Sequence, residues 1–188
     1  MATALPVSAY VVLGLLSRHD GATPYELDQR IRQSIGYFWV FPRSQLYAEA
    51  DRLVRRGLIA ERQENDGRRR RTLSLTGEGR AELSRWLATP TGAITEIHDE
   101  GLLRLFFQSA AEDDVAGSIG RLAAEQIRNH ECRLAEYQEL TGRLRPGSPQ
   151  RATLEVGLRL QDMMIGFWRE VAAAPPTAAS DSVPIHSE

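Results

Sequence analysis

Immediately after Gly57 the spacing of apolar residues changes from helical to alternating, and that change limits the fold more than any other feature of the chain. Leu58-Ile59-Ala60-Glu61-Arg62 and Arg71-Thr72-Leu73-Ser74-Leu75 read as two short strands. Between them Asn65-Asp66-Gly67 is a strong turn signal, because these residues accept the positive φ that tight hairpins require. An isolated hairpin is at best marginally stable, so this one has to lie against whatever precedes it.

What precedes it is helical in period. From Pro6 to about Arg18, the apolar residues Val7, Tyr10, Val11, Leu13, Leu15 and Leu16 describe a helix buried on more than one side, with Pro6 suited to its first turn. Thr23-Pro24-Tyr25-Glu26 is a capping box with proline at the first helical position. Leu27, Ile31 and Ile35 follow at helical spacing, and Gly36 offers a stop. The connection Gly36-Tyr37-Phe38-Trp39-Val40-Phe41-Pro42 is apolar and aromatic, and Trp39 and its neighbours are expected in the core. A third helix runs from about Arg43 to Arg56, with Leu46, Ala50, Leu53 and Val54 on one face. Its opposite face carries Ser44, Ala48, Asp51, Arg52 and Arg55, with Gln45 at the edge.

Three helices followed by an arginine-tipped hairpin make a winged helix-turn-helix. Short hydrogen-bonding side chains at the start of the third helix can approach base edges, while arginines farther along reach phosphates. The expected DNA contacts are therefore Arg43, Ser44, Gln45, Arg52 and Arg55 on the helix, with Arg68, Arg69, Arg70 and Arg71 at the wing. For Arg55 a surface pair with Asp51 is the competing reading. Tyr47 lies between the core face and the exposed face.

Thr76 can cap a fourth helix through Leu83 and Trp86 to about Ala88, and Thr89-Pro90-Thr91-Gly92 then breaks the pattern. The charge changes sign at the same place: residues 1–89 carry 14 Arg against 10 acidic residues, and residues 90–188 carry 9 against 15. A positive first half suits a polyanion that the second half would repel. The expected domains are thus 1–89 for DNA binding, 90–173 for helical dimerisation and 174–188 as a disordered tail.

The second half shows no strand signal; helices are expected over about Glu96 to Gln108, Asp113 to Leu144 and Arg151 to Val171. The last has two apolar sides, Leu154, Leu158, Ile165 and Trp168 on one, Leu160, Met164, Phe167 and Val171 on the other. Two apolar sides need two covering surfaces, so these eight residues are the expected dimer interface. The fold class is mainly α, a winged helix-turn-helix with a two-stranded wing plus an all-α dimerisation domain.

Enzyme chemistry finds little here. All 23 basic residues are arginine, which excludes Walker-type phosphate loops and Schiff-base or pyridoxal lysines. Gly77-Glu78-Gly79 follows a wing strand and lacks the third glycine of a dinucleotide loop. The single cysteine, Cys132, reads as an inert helix residue, and the four histidines lack metal-ligand spacing, so no cofactor or metal is expected. No apolar run approaches bilayer length and no positive charge precedes Val11 to Leu16, so neither a membrane span nor a secretory signal is read, and a cytoplasmic location is expected.

The chain resembles the PadR family of bacterial transcription regulators. The resemblance rests on Leu13-Gly14-Leu15-Leu16, Tyr25-Glu26-Leu27, Ser44-Gln45-Leu46-Tyr47, Arg56-Gly57-Leu58-Ile59, and Gly67-Arg68 through Leu75-Thr76-Gly77-Glu78-Gly79-Arg80, in order over about 80 residues. It departs from the family at Pro24, Ala48-Glu49, Arg69 and Thr72-Leu73. The resemblance implies a homodimer joined through the C-terminal helices, a palindromic operator on double-stranded DNA, and repression relieved in many members by a small aromatic ligand, for which Trp86 and Trp168 are candidates. It also favours DNA contact for Tyr47. A protein-binding winged-helix adaptor without specific DNA binding is the alternative.

Overall fold

In a computed structural model, which describes residues 4–63, 71–111 and 114–176, the chain divides into two compact units, residues 1–94 and 95–188. The first contains helices α1 (Val7–Leu16), α2 (Pro24–Gln33) and α3 (Arg43–Arg55), strands β1 (Ile59–Gln63) and β2 (Arg71–Leu75), and helix α4 (Gly77–Ala88). The strands pair antiparallel with Ile59 opposite Leu75 and Gln63 opposite Arg71. Ala22, in the turn after α1, adds a short third rung by exchanging both backbone hydrogen bonds with Leu73 at 2.9 Å.

Each element begins where its local chemistry dictates. Pro6 stands just before α1 in extended geometry rather than within its first turn. The α2 capping box forms in full: Thr23 Oγ1 accepts from the Glu26 N–H, and the Glu26 carboxylate accepts from the Thr23 N–H at 2.8 Å. Gly57 takes φ +69° at the exit from α3, a left-handed conformation that glycine adopts without strain. Thr76 caps α4 and donates to the carbonyls of Gly57 and Leu58, so one side chain ties the helix start to the strand entrance. Behind it, a Cβ on Gly79 would lie 2.0 Å from the Leu58 carbonyl oxygen, so only glycine permits α4 to approach so closely.

The core of this unit joins Val12, Leu13 and Leu16 of α1 to Leu27 and Ile31 of α2 and to Leu46, Ala50 and Leu53 of α3. Ile59, Leu73, Leu75 and Leu83 close it from the hairpin and α4. The aromatic connection behaves differently from expectation. Trp39 and Phe38 are exposed and Val40 is 90% exposed, because a 3-10 turn at Ile35–Tyr37 directs the chain outward, while Ile35 and Phe41 on either side pack on the core.

The second unit is helical: α5 (Glu100–Phe106), a 3-10 turn at Gln108–Ala110, α6 (Val115–Thr141) and α7 (Pro149–Ala173). Helix α5 starts four residues later than the spacing suggests, because Asp99 accepts from the Leu102 N–H and fixes the start there. Asp114 and Ser148 cap α6 and α7 in the same way. Helices α6 and α7 pack together around Ile119, Ala123, Met164, Trp168 and Val171.

Candidate nucleic-acid interface

Helix α3 separates its chemistry by face. Leu46, Ala50 and Leu53 are wholly buried, while Arg43, Ser44, Gln45, Ala48, Arg52 and Arg55 are exposed, as the period of the sequence requires. Tyr47 is partly exposed and lies under the Arg43 guanidinium, 6.0 Å from its centroid, near the outer limit of a cation–π contact. Arg52 sits 3.5 Å from Glu49. At the N-terminal end of the helix, then, the described face offers a guanidinium, a hydroxyl and an amide to whatever approaches.

Strand β2 is braced to this helix by charge. The Arg71 guanidinium lies 2.6 Å from the Asp51 carboxylate on α3 and 3.1 Å from Glu61 on β1. Burial works against its charge, but the hydrogen bond to Asp51 and the attraction of Glu61 outweigh it and hold the arginine more firmly protonated than usual. Arg71, grouped with the DNA-contacting arginines by sequence, therefore has its head group turned onto two carboxylates. Asp51 takes Arg71 as its partner instead of Arg55. Arg68, Arg69 and Arg70, with the Asn65-Asp66-Gly67 turn, lie outside the described residues.

Two further contacts escape sequence reasoning. Glu49 is buried on the inner side of α3, where the Ser8 hydroxyl donates to it at 2.8 Å. The Tyr10 ring stacks on Trp86 with centroids 4.6 Å apart, and its hydroxyl donates to Glu82 at 2.8 Å. Burial, and next the Glu82 hydrogen bond, push the Tyr10 phenol above the usual tyrosine range; hydrogen bonds from Arg85 and Tyr10 hold Glu82 below the usual carboxylate range.

The expected dimer residues divide into two groups. Met164, Trp168 and Val171 are buried within the protomer, because α6 of the same chain supplies one covering surface for α7, and Ile165 is buried as well. Leu154, Leu158 and Phe167 are half-buried and Leu160 is exposed. Val156 and Met163 on α7 and Leu103, Phe106 and Phe107 at and after α5 are also exposed, and sequence reasoning did not single them out. Trp168 is 0% exposed, with an indole N–H that no acceptor among the described residues reaches; Trp86 keeps one partly exposed edge beside Tyr10. Among the described residues no group of three or more His, Cys, Asp or Glu is placed to hold a metal, and no helix is long and apolar enough to cross a membrane.

Comparison with known proteins agrees with this geometry. Residues 12–85 match the family described as "Transcriptional regulator PadR-like family". The chain is 35% identical over 178 residues to "Probable transcriptional regulator Rv1176c" of Mycobacterium tuberculosis, covering 82% of this chain and 90% of that one. It is 26% identical over 134 residues to "Negative transcriptional regulator PadR" of Bacillus subtilis, covering 70% and 71%. The crystal structure of Bacillus subtilis PadR in complex with operator DNA superposes with a TM-score of 0.76 at 24% identity, over 89% of this chain and 98% of that one. The same protein in complex with p-coumaric acid gives 0.72 at 22% identity over the same shares, so the winged-helix fold and its helical C-terminal region are shared.

Proposed function

The chain belongs to the PadR-like family of transcriptional regulators, and from that premise we propose that it is a repressor that binds a palindromic operator as a homodimer and is released by a small aromatic ligand. One observation carries the reading: the exposed N-terminal end of α3, with Arg43, Ser44 and Gln45, is held to the wing strand by the Asp51 and Arg71 contact. A helix and wing fixed to one another meet a major groove and its flanking backbone together, whereas independently moving elements would lose entropy on each encounter.

In this reading Ser44, Gln45 and Tyr47 face bases or adjacent phosphates, and Arg43, Arg52 and Arg55 face backbone. Arg68, Arg69 and Arg70 contact phosphate or the minor groove from the wing, and Arg71 sets the distance between the two elements. Residues 1–89 bind DNA and residues 90–173 dimerise; most of the expected tail, residues 177–188, lies outside the described residues. Two copies placed about 34 Å apart would set their α3 helices in successive major grooves. The dimer contact falls to Leu154, Leu158, Leu160 and Phe167, with Met164, Ile165, Trp168 and Val171 supporting it from beneath. An aromatic acid is the ligand class that the p-coumaric acid complex of the Bacillus subtilis protein supports. Trp86 is 39% exposed and so open to meet it, whereas Trp168 would have to be uncovered first.

The test is a mobility shift with the purified chain against the DNA upstream of its own gene, with and without p-coumaric acid. A specific shift that the acid reverses is expected. No shift at low ionic strength, together with stoichiometric binding to a protein, would replace the regulator with an adaptor.

A further inference from the structure

A basin of about 500 Å³ opens on the first unit between the turn after α1, helix α2 and helix α4, apart from the groove-facing surface of α3. Arg18, His19 and Asp20 line it from the turn, Arg30 from α2 and Arg80 from α4. Three guanidiniums against one carboxylate leave an excess of two positive charges with the histidine neutral. Ser17, at the rim, is already committed: its hydroxyl donates to the Gly14 carbonyl at 2.8 Å.

The arginines are not there to pair with the protein. Arg32, two residues on along α2, takes Asp28 at 3.1 Å, but among the described residues no acidic group pairs with Arg18, Arg30 or Arg80. Arg30 is the informative one, since its Nη1 is sealed from solvent and no acceptor of the described chain reaches it. A buried guanidinium N–H without an acceptor costs free energy, and an anion in the basin that draws the Arg30 head group toward it would remove that cost. The lining is almost wholly polar, with no flat apolar wall for a ring, which separates this place from any site built for an aromatic ligand.

We propose that this basin is an oxyanion site that takes a phosphoryl group between Arg18, Arg30 and Arg80. Guanidinium forks match the geometry of phosphate oxygens, and three of them converging from separate elements set a position as well as a charge. The turn that carries Arg18 and Asp20 is anchored at its far end, because Ala22, two residues past Asp20, is strapped to Leu73 of the wing strand by two hydrogen bonds of 2.9 Å. The phosphoryl group could belong to a phosphorylated small molecule or to the backbone of bound DNA; both present the same oxygens.

The full-length protein is titrated with inorganic phosphate at constant ionic strength, with chloride as the control anion, while the arginine Nε–Hε resonances are followed. The Arg30 signal should shift saturably with phosphate and not with chloride. R30Q and R80Q should each weaken phosphate binding at least fivefold, R30K should retain part of it, and R104Q in the second unit should leave it unchanged. The same variants are then measured against duplex DNA. A uniform loss of duplex affinity with a shallower salt dependence assigns the phosphoryl group to nucleic acid, and that loss supports the site even where free phosphate is too weak to register. Phosphate binding that R30Q and R80Q abolish, with duplex affinity intact, assigns it to a small molecule. The proposal is overturned if phosphate binds equally well to R30Q and R80Q, or if neither phosphate shifts nor duplex affinity respond to them. Neither arm depends on operator recognition, so the site and the regulator reading can fail separately.

Discussion

Arg71 of the wing strand donates to Asp51 of helix α3 at 2.6 Å, across twenty residues of sequence, and this contact couples the two elements that would meet DNA in the proposed reading. Asp51 is about half exposed, so the pair contributes little to folding, of the order of 1 kcal/mol or less. Its larger effect is on geometry. Asp51→Ala is expected to lower stability by about 1 kcal/mol or less yet weaken operator binding several-fold, since the Arg71 side chain then keeps only Glu61 of its own hairpin as a partner and no longer reaches α3. A double-mutant cycle with Arg71→Ala, read by denaturation and by DNA affinity, should return a larger coupling in binding than in stability. Equal couplings would make the pair purely structural.

The Tyr10 and Glu82 contact fixes how stability should respond to pH. Glu82 is held below its ordinary range, so its contribution is complete above the ordinary carboxylate value and is lost as pH falls through the lowered one. Tyr10 is raised, so its contribution is complete below the ordinary tyrosine value and disappears as pH rises through the raised one. Stability of the first unit should therefore fall at both the acid and the alkaline edges. Tyr10→Phe, which keeps the stack on Trp86, should cost about 1 kcal/mol at neutral pH and flatten the alkaline edge, as urea midpoints against pH would reveal.

Gly79 allows a test of how closely α4 lies against the strand entrance. A Cβ there would meet the Leu58 carbonyl oxygen at 2.0 Å, and backbone cannot swing aside as a flexible side chain can. Gly79→Ala should destabilise the first unit by about 3 kcal/mol, whereas the same change at Gly77, which has open space around it, should be close to neutral. Thermal denaturation of the two variants decides it.

What the sequence revealed and what it hid follow from the range of the interactions involved. The Thr23 and Glu26 capping box, the paired strands around Leu73 and the two-faced helix carrying Leu46 and Gln45 are local patterns, written within a few residues of one another. Trp39 was misjudged because hydrophobicity alone does not show which way a 3-10 turn sends the chain. The brace from Arg71 to Asp51 joins residues in separate elements, and nothing near either one announces it. The same limit applies to Met164 and Trp168. Periodicity showed that α7 has apolar residues on two sides but not that α6 draws on both, burying Trp168 of one together with Met164 and Val171 of the other.

Recognition can be divided between base edges and backbone by choosing the residue replaced. Gln45 at the exposed start of α3 has an amide able to bond an adenine edge bidentately, so Gln45→Ala should cost about 1–3 kcal/mol on the best operator and little on unrelated duplex. Replacing Arg68, Arg69 and Arg70 together with alanine should instead weaken all duplexes alike and reduce the slope of log affinity against log salt. Fluorescence anisotropy on specific and scrambled duplexes at several salt concentrations separates the two. A uniform loss from Gln45→Ala would mean that α3 reads no bases.

The second unit makes the sharpest distinction between folding and assembly. Trp168 is wholly buried against α6 within one chain, while Leu160, eight residues earlier on α7, is 41% exposed and Met163 52% exposed. If α7 dimerises through its open side, Leu160→Glu combined with Met163→Glu should yield a folded monomer with unchanged helical signal, because the charges fall outside the protomer core. Trp168→Ala removes a large buried ring and should cost about 3–5 kcal/mol, loosening the unit itself and lowering helicity before any change in assembly can be read. Sedimentation equilibrium paired with circular dichroism distinguishes these outcomes. A glutamate variant that remains dimeric would remove the open side of α7 from the interface and shift attention to the exposed Leu103, Phe106 and Phe107.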